Sequence, residues 1–230
     1  MERVNLGKKV LSENDRVAQQ LRERFREQKT TVFNFISSPG SGKTLFLERT
    51  LEGLPKDMKV AVLTGDIQTD NDARRLARVG FPVQQITTAG ACHLDARMIE
   101  KSLRAWGDQQ SFDLLLIENV GNLVCPAGYD LAEDTRVVLL SVTEGEDKPL
   151  KYPSAFYKSH VMVLNKIDLL PYVGFDVQIA CDNAASIHPG IEIFETSSTT
   201  GQGLDKWLGW LRRKMQTVVT GRENKVLATV

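Results

Sequence analysis

Three cysteines in 230 residues are too few to build a disulfide framework, and nothing in their spacing suggests an exported scaffold. Charge of one sign is missing too. Lys+Arg and Asp+Glu stand at 29 each, so no global field draws the chain to nucleic acid or to a membrane surface. No apolar run approaches the roughly 20 residues of a membrane span. The start, Met1-Glu-Arg-Val-Asn-Leu-Gly, has no apolar core of a secretory signal. Internal repeats, low-complexity linkers and charge blocks are also missing. These absences set the expectation of a cytoplasmic protein with reduced thiols. What remains is an ordinary globular composition, and a chain of this length can bury roughly 70% of its unfolded surface.

Short apolar runs alternate with helical patterns. The runs cover 32–37, 60–63, 83–86, 114–118, 137–142, 161–165 and 191–196. Helical spacing follows over 43–53, 70–79, 94–107 and 203–217. Strands spaced by helices predict an α/β fold, a mostly parallel central sheet with helices on both faces. Ahead of them, Val17, Ala18, Leu21 and Phe25 recur at helical spacing. They predict a leading amphipathic helix over 12–29, capped by Ser12 with Asp15 three residues on. The expected organisation is an N-terminal helix (1–30) packed on one nucleotide-binding domain (31–220), then a loose tail (221–230).

The first run leads into Ser37-Ser-Pro-Gly-Ser-Gly-Lys-Thr44 and straight on into a helix. A P-loop has Gly where Ser37 stands; everything else fits. Ser38, Pro39, Gly40, Ser41 and Gly42 form the expected phosphate cradle, with the two glycines permitting close backbone approach. Lys43 reaches the β/γ-phosphates and Thr44 can hold Mg²⁺. The bland alternative is a chance Gly/Ser turn, and the strand–loop–helix context weighs against it. Farther on, a strand ends in Asn165-Lys166-Ile167-Asp168. A carboxylate there can accept from N1–H and the 2-amino group of guanine, whereas adenine turns an acceptor toward it. Alone this tetrapeptide is only a polar turn, but behind a P-loop it points to GTP. Ser197 and Ser198 open a loop whose amides can face the base.

Two further segments look like switches. Asp66 stands at a strand's C-terminal end, where α/β folds place ligands, and is a candidate Mg²⁺ ligand. Asp72 is a candidate second ligand or orienter of the attacking water; the alternative is a helix N-cap. Glu118 ends the most apolar strand, Leu114-Leu-Leu-Ile-Glu118, where a carboxylate is costly unless it meets a cation or water at the site. Gly121 can bring its N–H to the γ-phosphate. With Lys43, Asp72, Glu118 and Gly121 as the catalytic set, hydrolysis is positioning and charge stabilisation. No arginine finger is identifiable, so the expected intrinsic turnover is slow, about 10⁻⁴–10⁻² s⁻¹.

The thiols carry a second chemistry. Cys92 and His93 are adjacent in a Gly/Ala loop that opens a helix, and Cys125 follows the Glu118 segment, before Pro126. A lone cysteine is usually a small buried hydrophobe, but thiolate with imidazole suits Zn²⁺ or Ni²⁺. Three ligands leave a tetrahedron open, to be closed by water or by a second subunit.

On these residues the chain resembles the HypB family, the GTPases of [NiFe]-hydrogenase maturation, in the signal-recognition, MinD and nitrogenase-iron-protein branch of P-loop GTPases. The resemblance spans about residues 5–220. It rests on the P-loop with its Ser37, on Gly65-Asp-Ile-Gln-Thr-Asp-Asn-Asp-Ala73, Gly90-Ala-Cys-His-Leu-Asp95, Ile117-Glu-Asn-Val-Gly-Asn-Leu-Val-Cys-Pro126 and Val142-Thr-Glu-Gly-Glu-Asp-Lys-Pro149. It implies that Cys92, His93 and Cys125 are the metal site, at a homodimer interface favoured by nucleotide. It also implies a HypA-type nickel chaperone and the hydrogenase large-subunit precursor as partners. Lys148 falls in a family segment near the nucleotide. Some relatives carry an N-terminal cysteine motif or a His-rich storage stretch; the start Met1-Glu-Arg-Val and a total of three histidines carry neither. Three other readings compete. A urease GTPase has Cys-Pro-His where Cys92 and His93 are contiguous. A cobalamin-enzyme chaperone gives no reason for the thiols. A metal carrier with incidental turnover is separable only by experiment.

Overall fold

The computed structural model describes the backbone of residues 6–66, 71–107 and 110–227, with side chains described from Val10 to Arg222. Seven strands form one parallel sheet: β1 (Thr31–Ser37), β2 (Val60–Asp66), β3 (Val83–Thr87), β4 (Leu114–Gly121), β5 (Thr135–Ser141), β6 (Val161–Asn165) and β7 (Glu192–Glu195). Their order is β3-β2-β4-β1-β5-β6-β7. The chain places β2 and β3 to one side of β1, returns to insert β4 between β1 and β2, and then crosses to the other side of β1 for β5, β6 and β7. Loops leaving the C-terminal ends of β1 and its neighbours therefore splay apart, which is where open α/β sheets bind ligands.

Alternation along β1 explains why the sheet is covered on both faces. Phe33 and Phe35 point to one side, into a core with Phe46, Leu47, Leu116, Trp207 and Trp210. Val32 points to the other face with Leu21, Phe25, Leu63 and Ile117, and Ile36 packs there with Val138, Phe156 and Leu164. Fully buried Trp207 still satisfies its indole N–H, which donates to Thr50 Oγ1 at 3.0 Å. The helices between strands are α2 (Lys43–Glu52), α3 (Asn71–Ala77), α4 (Ala96–Trp106), short α5 (Lys148–Lys151) and α6 (Pro153–Tyr157), and α7 (Val177–Ile187). Among the described residues no helix is long and apolar enough to cross a membrane.

The two ends differ from the sequence expectation. The first helix, α1, spans Leu6–Glu27, so Ser12 lies inside it on the exposed side and is not its cap. Val17, Ala18, Leu21 and Phe25 are buried on its inner face, as their spacing requires. The last helix, α8, spans Leu204–Leu227 and continues through Gly221, where the sequence suggested a loose tail. Arg222 accounts for the continuation. Its guanidinium donates to the Phe25 and Thr30 carbonyls at 3.0 and 2.7 Å and pairs with Asp134 at 2.6 Å. That ties the helix to the end of α1 and the entry of β5.

Candidate functional site

β1 ends at Ser37 and α2 begins at Lys43; the turn between them depends on Gly42. Its φ is +92°, and a Cβ there would lie 2.6 Å from Asn165 Nδ2. Only glycine fits. The loop walls a cavity of about 440 Å³ lined also by Asp66, Asp72, Arg75, Glu118 and Gly121. Gly121 approaches so closely that a Cβ would stand 3.2 Å from Pro39 Cα. The structure thus gathers into one cleft the P-loop and both switch candidates, which are far apart in sequence.

Within the cleft Glu118 is sealed from solvent and joined to the P-loop helix. Thr44 Oγ1 donates to its Oε1 at 2.7 Å, and Lys43 Nζ lies 3.6 Å away. Its second oxygen, Oε2, is buried with no hydrogen-bond partner. Burial pushes the Glu118 carboxyl upward, against the pull of the Lys43 ammonium and the Thr44 hydroxyl. An orphaned buried carboxylate oxygen beside a threonine hydroxyl suits a divalent cation. Asp72 lies in the first turn of α3, one residue past its start, and faces the cavity. Residues 67–70, part of the quoted 65–73 motif, lie outside the described residues. Arg75, which the sequence reading did not single out, stands one turn beyond Asp72 on the same face. It lines the cavity and pairs with Glu48 at 2.7 Å. The i, i+3 spacing from Asp72 is the signal that could have found it.

The base-reading residues divide into two roles. Asn165 is almost fully buried and its side chain braces loops. Its Nδ2 donates to the Ser41 carbonyl at 3.0 Å, and its Oδ1 accepts from Ser198 N at 3.2 Å and Ser198 Oγ at 2.9 Å. Lys166 is in the left-handed region (φ 64°) and donates from Nζ to the Gly40 carbonyl at 2.6 Å. Asp168 is only partly buried; Ser197 Oγ donates to its Oδ1 at 2.5 Å, leaving the other oxygen for a ligand. Lys148 reaches the P-loop, 3.3 Å from Ser38 Oγ and 3.1 Å from Glu144.

A second cluster lies beyond the end of β4. One ligand atom each from Cys92, His93 and Cys125 all fall within 4.8 Å of one another, on one chain. Cys92 Sγ donates to Cys125 Sγ at 2.7 Å and lies 3.9 Å from His93 Nδ1. The imidazole stacks on Tyr129, ring centroids 3.9 Å apart. The hydrogen bond to Cys125 and burial raise the Cys92 thiol, while burial lowers His93. Two thiols and a neutral imidazole at this separation fit a borderline or soft divalent ion. Cys181 stands apart, packed beside the α7 core.

Comparison with known proteins agrees with this geometry. The profile of the CobW/HypB/UreG nucleotide-binding domain matches residues 31–195. Hydrogenase maturation factor HypB of Azotobacter vinelandii is 48% identical over 213 residues, 93% of this chain and 70% of that protein. HypB of Escherichia coli (strain K12) is 52% identical over 205 residues, 88% of this chain and 69% of that one. Among solved structures, HypB from Helicobacter pylori in complex with nickel superposes with a TM-score of 0.82 at 41% identity, covering 89% of this chain and 95% of that one. HypB from Archaeoglobus fulgidus gives 0.82 at 42% identity, covering 89% and 100%. The signal recognition particle protein of Aeropyrum pernix K1, at 13% identity and a TM-score of 0.54, shares the fold.

Proposed function

The chain belongs to the HypB group of the CobW/HypB/UreG nucleotide-binding family, and from that membership we propose a GTP-hydrolysing metallochaperone that helps insert nickel into the [NiFe]-hydrogenase large subunit. One observation carries the reading. The single stretch from β4 to Pro126 carries both Glu118, bonded to Thr44 of the P-loop, and Cys125, in contact with Cys92. The nucleotide state and the metal site therefore share one segment of chain.

In this reading the P-loop cradles the phosphates through residues 38–42, Lys43 neutralises the β/γ-phosphate charge, and Asp168 accepts from guanine. Thr44, Glu118 and Asp66 hold Mg²⁺, which supplies charge neutralisation when bound. Asp72 orients the attacking water and Gly121 offers its N–H. Arg75 lines the cavity and pairs with Glu48 at 2.7 Å, and with no arginine finger identifiable in the sequence, turnover is slow, about 10⁻⁴–10⁻² s⁻¹. Cys92, His93 and Cys125 take nickel or zinc. The reading includes a nucleotide-favoured homodimer in the cytoplasm, a HypA-type chaperone and the large-subunit precursor as partners. Its domain plan is the α1 segment (1–30) on a G domain (31–220).

The test is direct. The purified chain should release phosphate from GTP and not from ATP, with Mg²⁺ required and Lys43→Ala inactive. Equilibrium dialysis should find one Ni²⁺ or Zn²⁺ per chain, lost in Cys92→Ala and in Cys125→Ala. Unchanged affinity in both cysteine variants would sink the metal site.

A further inference from the structure

All three ligands of the thiol–imidazole cluster sit on loops, and a loop keeps a ligand geometry only when something beneath fixes it. What lies beneath is polar where the fold calls for apolar side chains. Asn34 of β1 is 0% exposed, Asn119 of β4 1% and Arg136 of β5 5%, and the Glu133 side chain is 6% exposed. Two amides and an ion pair are costly in a core unless every group is bonded.

Their bonds form one chain. Asn119 Oδ1 accepts from Leu94 N, the residue after His93, at 3.1 Å, and from Val120 N at 3.0 Å. Asn119 Nδ2 donates to Asn34 Oδ1 at 3.3 Å, and Asn34 Nδ2 donates to Glu133 Oε1 at 3.2 Å. Arg136 Nε donates to the same carboxylate oxygen at 2.7 Å. The remaining guanidinium nitrogens reach the Ala127 carbonyl, two residues past Cys125, at 3.2 Å and the Tyr129 carbonyl at 2.7 Å. Tyr129 is the ring stacked on His93. The chain thus ends at three points, each beside a ligand or its support. A second bracket crosses the same loops: Asn14 of α1 donates to the Asp130 carbonyl and accepts from Ala96 N, both at 2.9 Å.

Asn119 also stands between Glu118 and Val120, which both line the nucleotide cavity while Asn119 does not. Strand alternation turns it to the opposite side, toward the metal loops. We propose that Asn119, Asn34, Glu133 and Arg136 are positioning residues of the metal site, and that Asn119 links the nucleotide cavity to the His93 loop. The inference rests on the metal reading of Cys92, His93 and Cys125. Any shift of β4 at Glu118 moves the Asn119 amide, and with it the backbone beside His93.

Titration of the full chain with Ni²⁺ alone, read by thiolate-to-nickel charge-transfer absorbance, tests it. Asn119→Ala should lower nickel affinity about ten- to hundredfold. GDP affinity measured without metal should hold, and the factor by which GDP changes nickel affinity should shrink toward one. Arg136→Lys keeps a cation beside Glu133 but gives up the bonds to the Ala127 and Tyr129 carbonyls, and should weaken nickel binding and alter the charge-transfer spectrum; it serves as the readout if Asn119→Ala does not fold. Wild-type nickel affinity in folded Asn119→Ala, or in Arg136→Lys where Asn119→Ala does not fold, overturns the proposal. Parallel loss of nickel and GDP binding in Asn119→Ala also overturns it. A wild-type chain that takes up no nickel overturns instead the reading on which the proposal rests.

Discussion

Thr44 Oγ1 donates to Glu118 Oε1 at 2.7 Å, so the hydroxyl that closes the P-loop and the carboxylate that ends the central apolar run share a contact. Lys43 completes the group at 3.6 Å. The carboxylate is buried and half-satisfied, and its partners are the groups a magnesium-bound nucleotide would engage. The segment that carries it runs on to Cys125.

Glu118→Gln separates the cost of this charge from its use. Burial raises the folded-state carboxyl above its unfolded value. The stability tied to the protonated form is full below the unfolded pKa and is lost as pH rises through the folded one. The ligand-free wild type should therefore melt lower at about pH 8 than at about pH 5 in this component, and Glu118→Gln should flatten it. The same variant should lose GTP hydrolysis by about 10²-fold or more. Thermal melts at both pH values and a phosphate-release assay read the two effects; a Glu118→Gln variant with wild-type hydrolysis contradicts the assignment.

Asp168→Asn should weaken GTP binding and relax the preference against ATP. A buried-pairing site discriminates by about 10⁴-fold, and the amide puts a donor where guanine also donates. Competition binding with GTP and ATP measures it. Equal selectivity before and after would refute the base assignment.

Asn165→Ala should act differently, because its amide bridges the Ser41 carbonyl to Ser198. Removing it leaves buried backbone groups unpaired, at about 1–3 kcal/mol. The expected result is a lower melting temperature together with weaker binding of GTP and ATP alike. Loss of selectivity without loss of stability would mean that Asn165 reads the base itself.

Nickel affinity should rise with pH. The Cys92 thiol is held above its usual value by its hydrogen bond to Cys125 and by burial, so its proton must leave when metal binds. His93 is lowered by burial and is already a neutral ligand near neutrality. Each displaced proton adds about tenfold in affinity per pH unit below the thiol pKa. Isothermal titration between about pH 6.5 and about pH 8.5 in buffers of different ionisation enthalpy counts the protons; none released contradicts thiolate ligation.

Much of this was legible in the sequence because the signals are local. The P-loop, the 165–168 turn and the Cys92-His93 pair each need only a few consecutive residues beside a strand end. The burial of Val17, Ala18, Leu21 and Phe25 followed from helical spacing. The failures are tertiary. Ser12 sits on the exposed face of a helix that starts at Leu6, where a serine is tolerated. Gly221 continues α8 because the next residue, Arg222, finds Asp134 and two carbonyls far away in sequence. Asn119 stands inside the quoted 117–126 segment, but its bonds to Leu94 and Asn34 emerge only when β1, β4 and the 92–94 loop are brought together.

The central claim is that nucleotide and metal are coupled through the stretch from Glu118 to Cys125. Equilibrium titration of the full chain with Ni²⁺, nucleotide-free and then saturated with GDP or with a non-hydrolysable GTP analogue plus Mg²⁺, tests it most directly. The expected result is a nickel affinity that differs between the GDP and GTP-analogue states by about five- to 150-fold, with the reciprocal change in nucleotide affinity. Identical nickel isotherms in all three states would contradict the account.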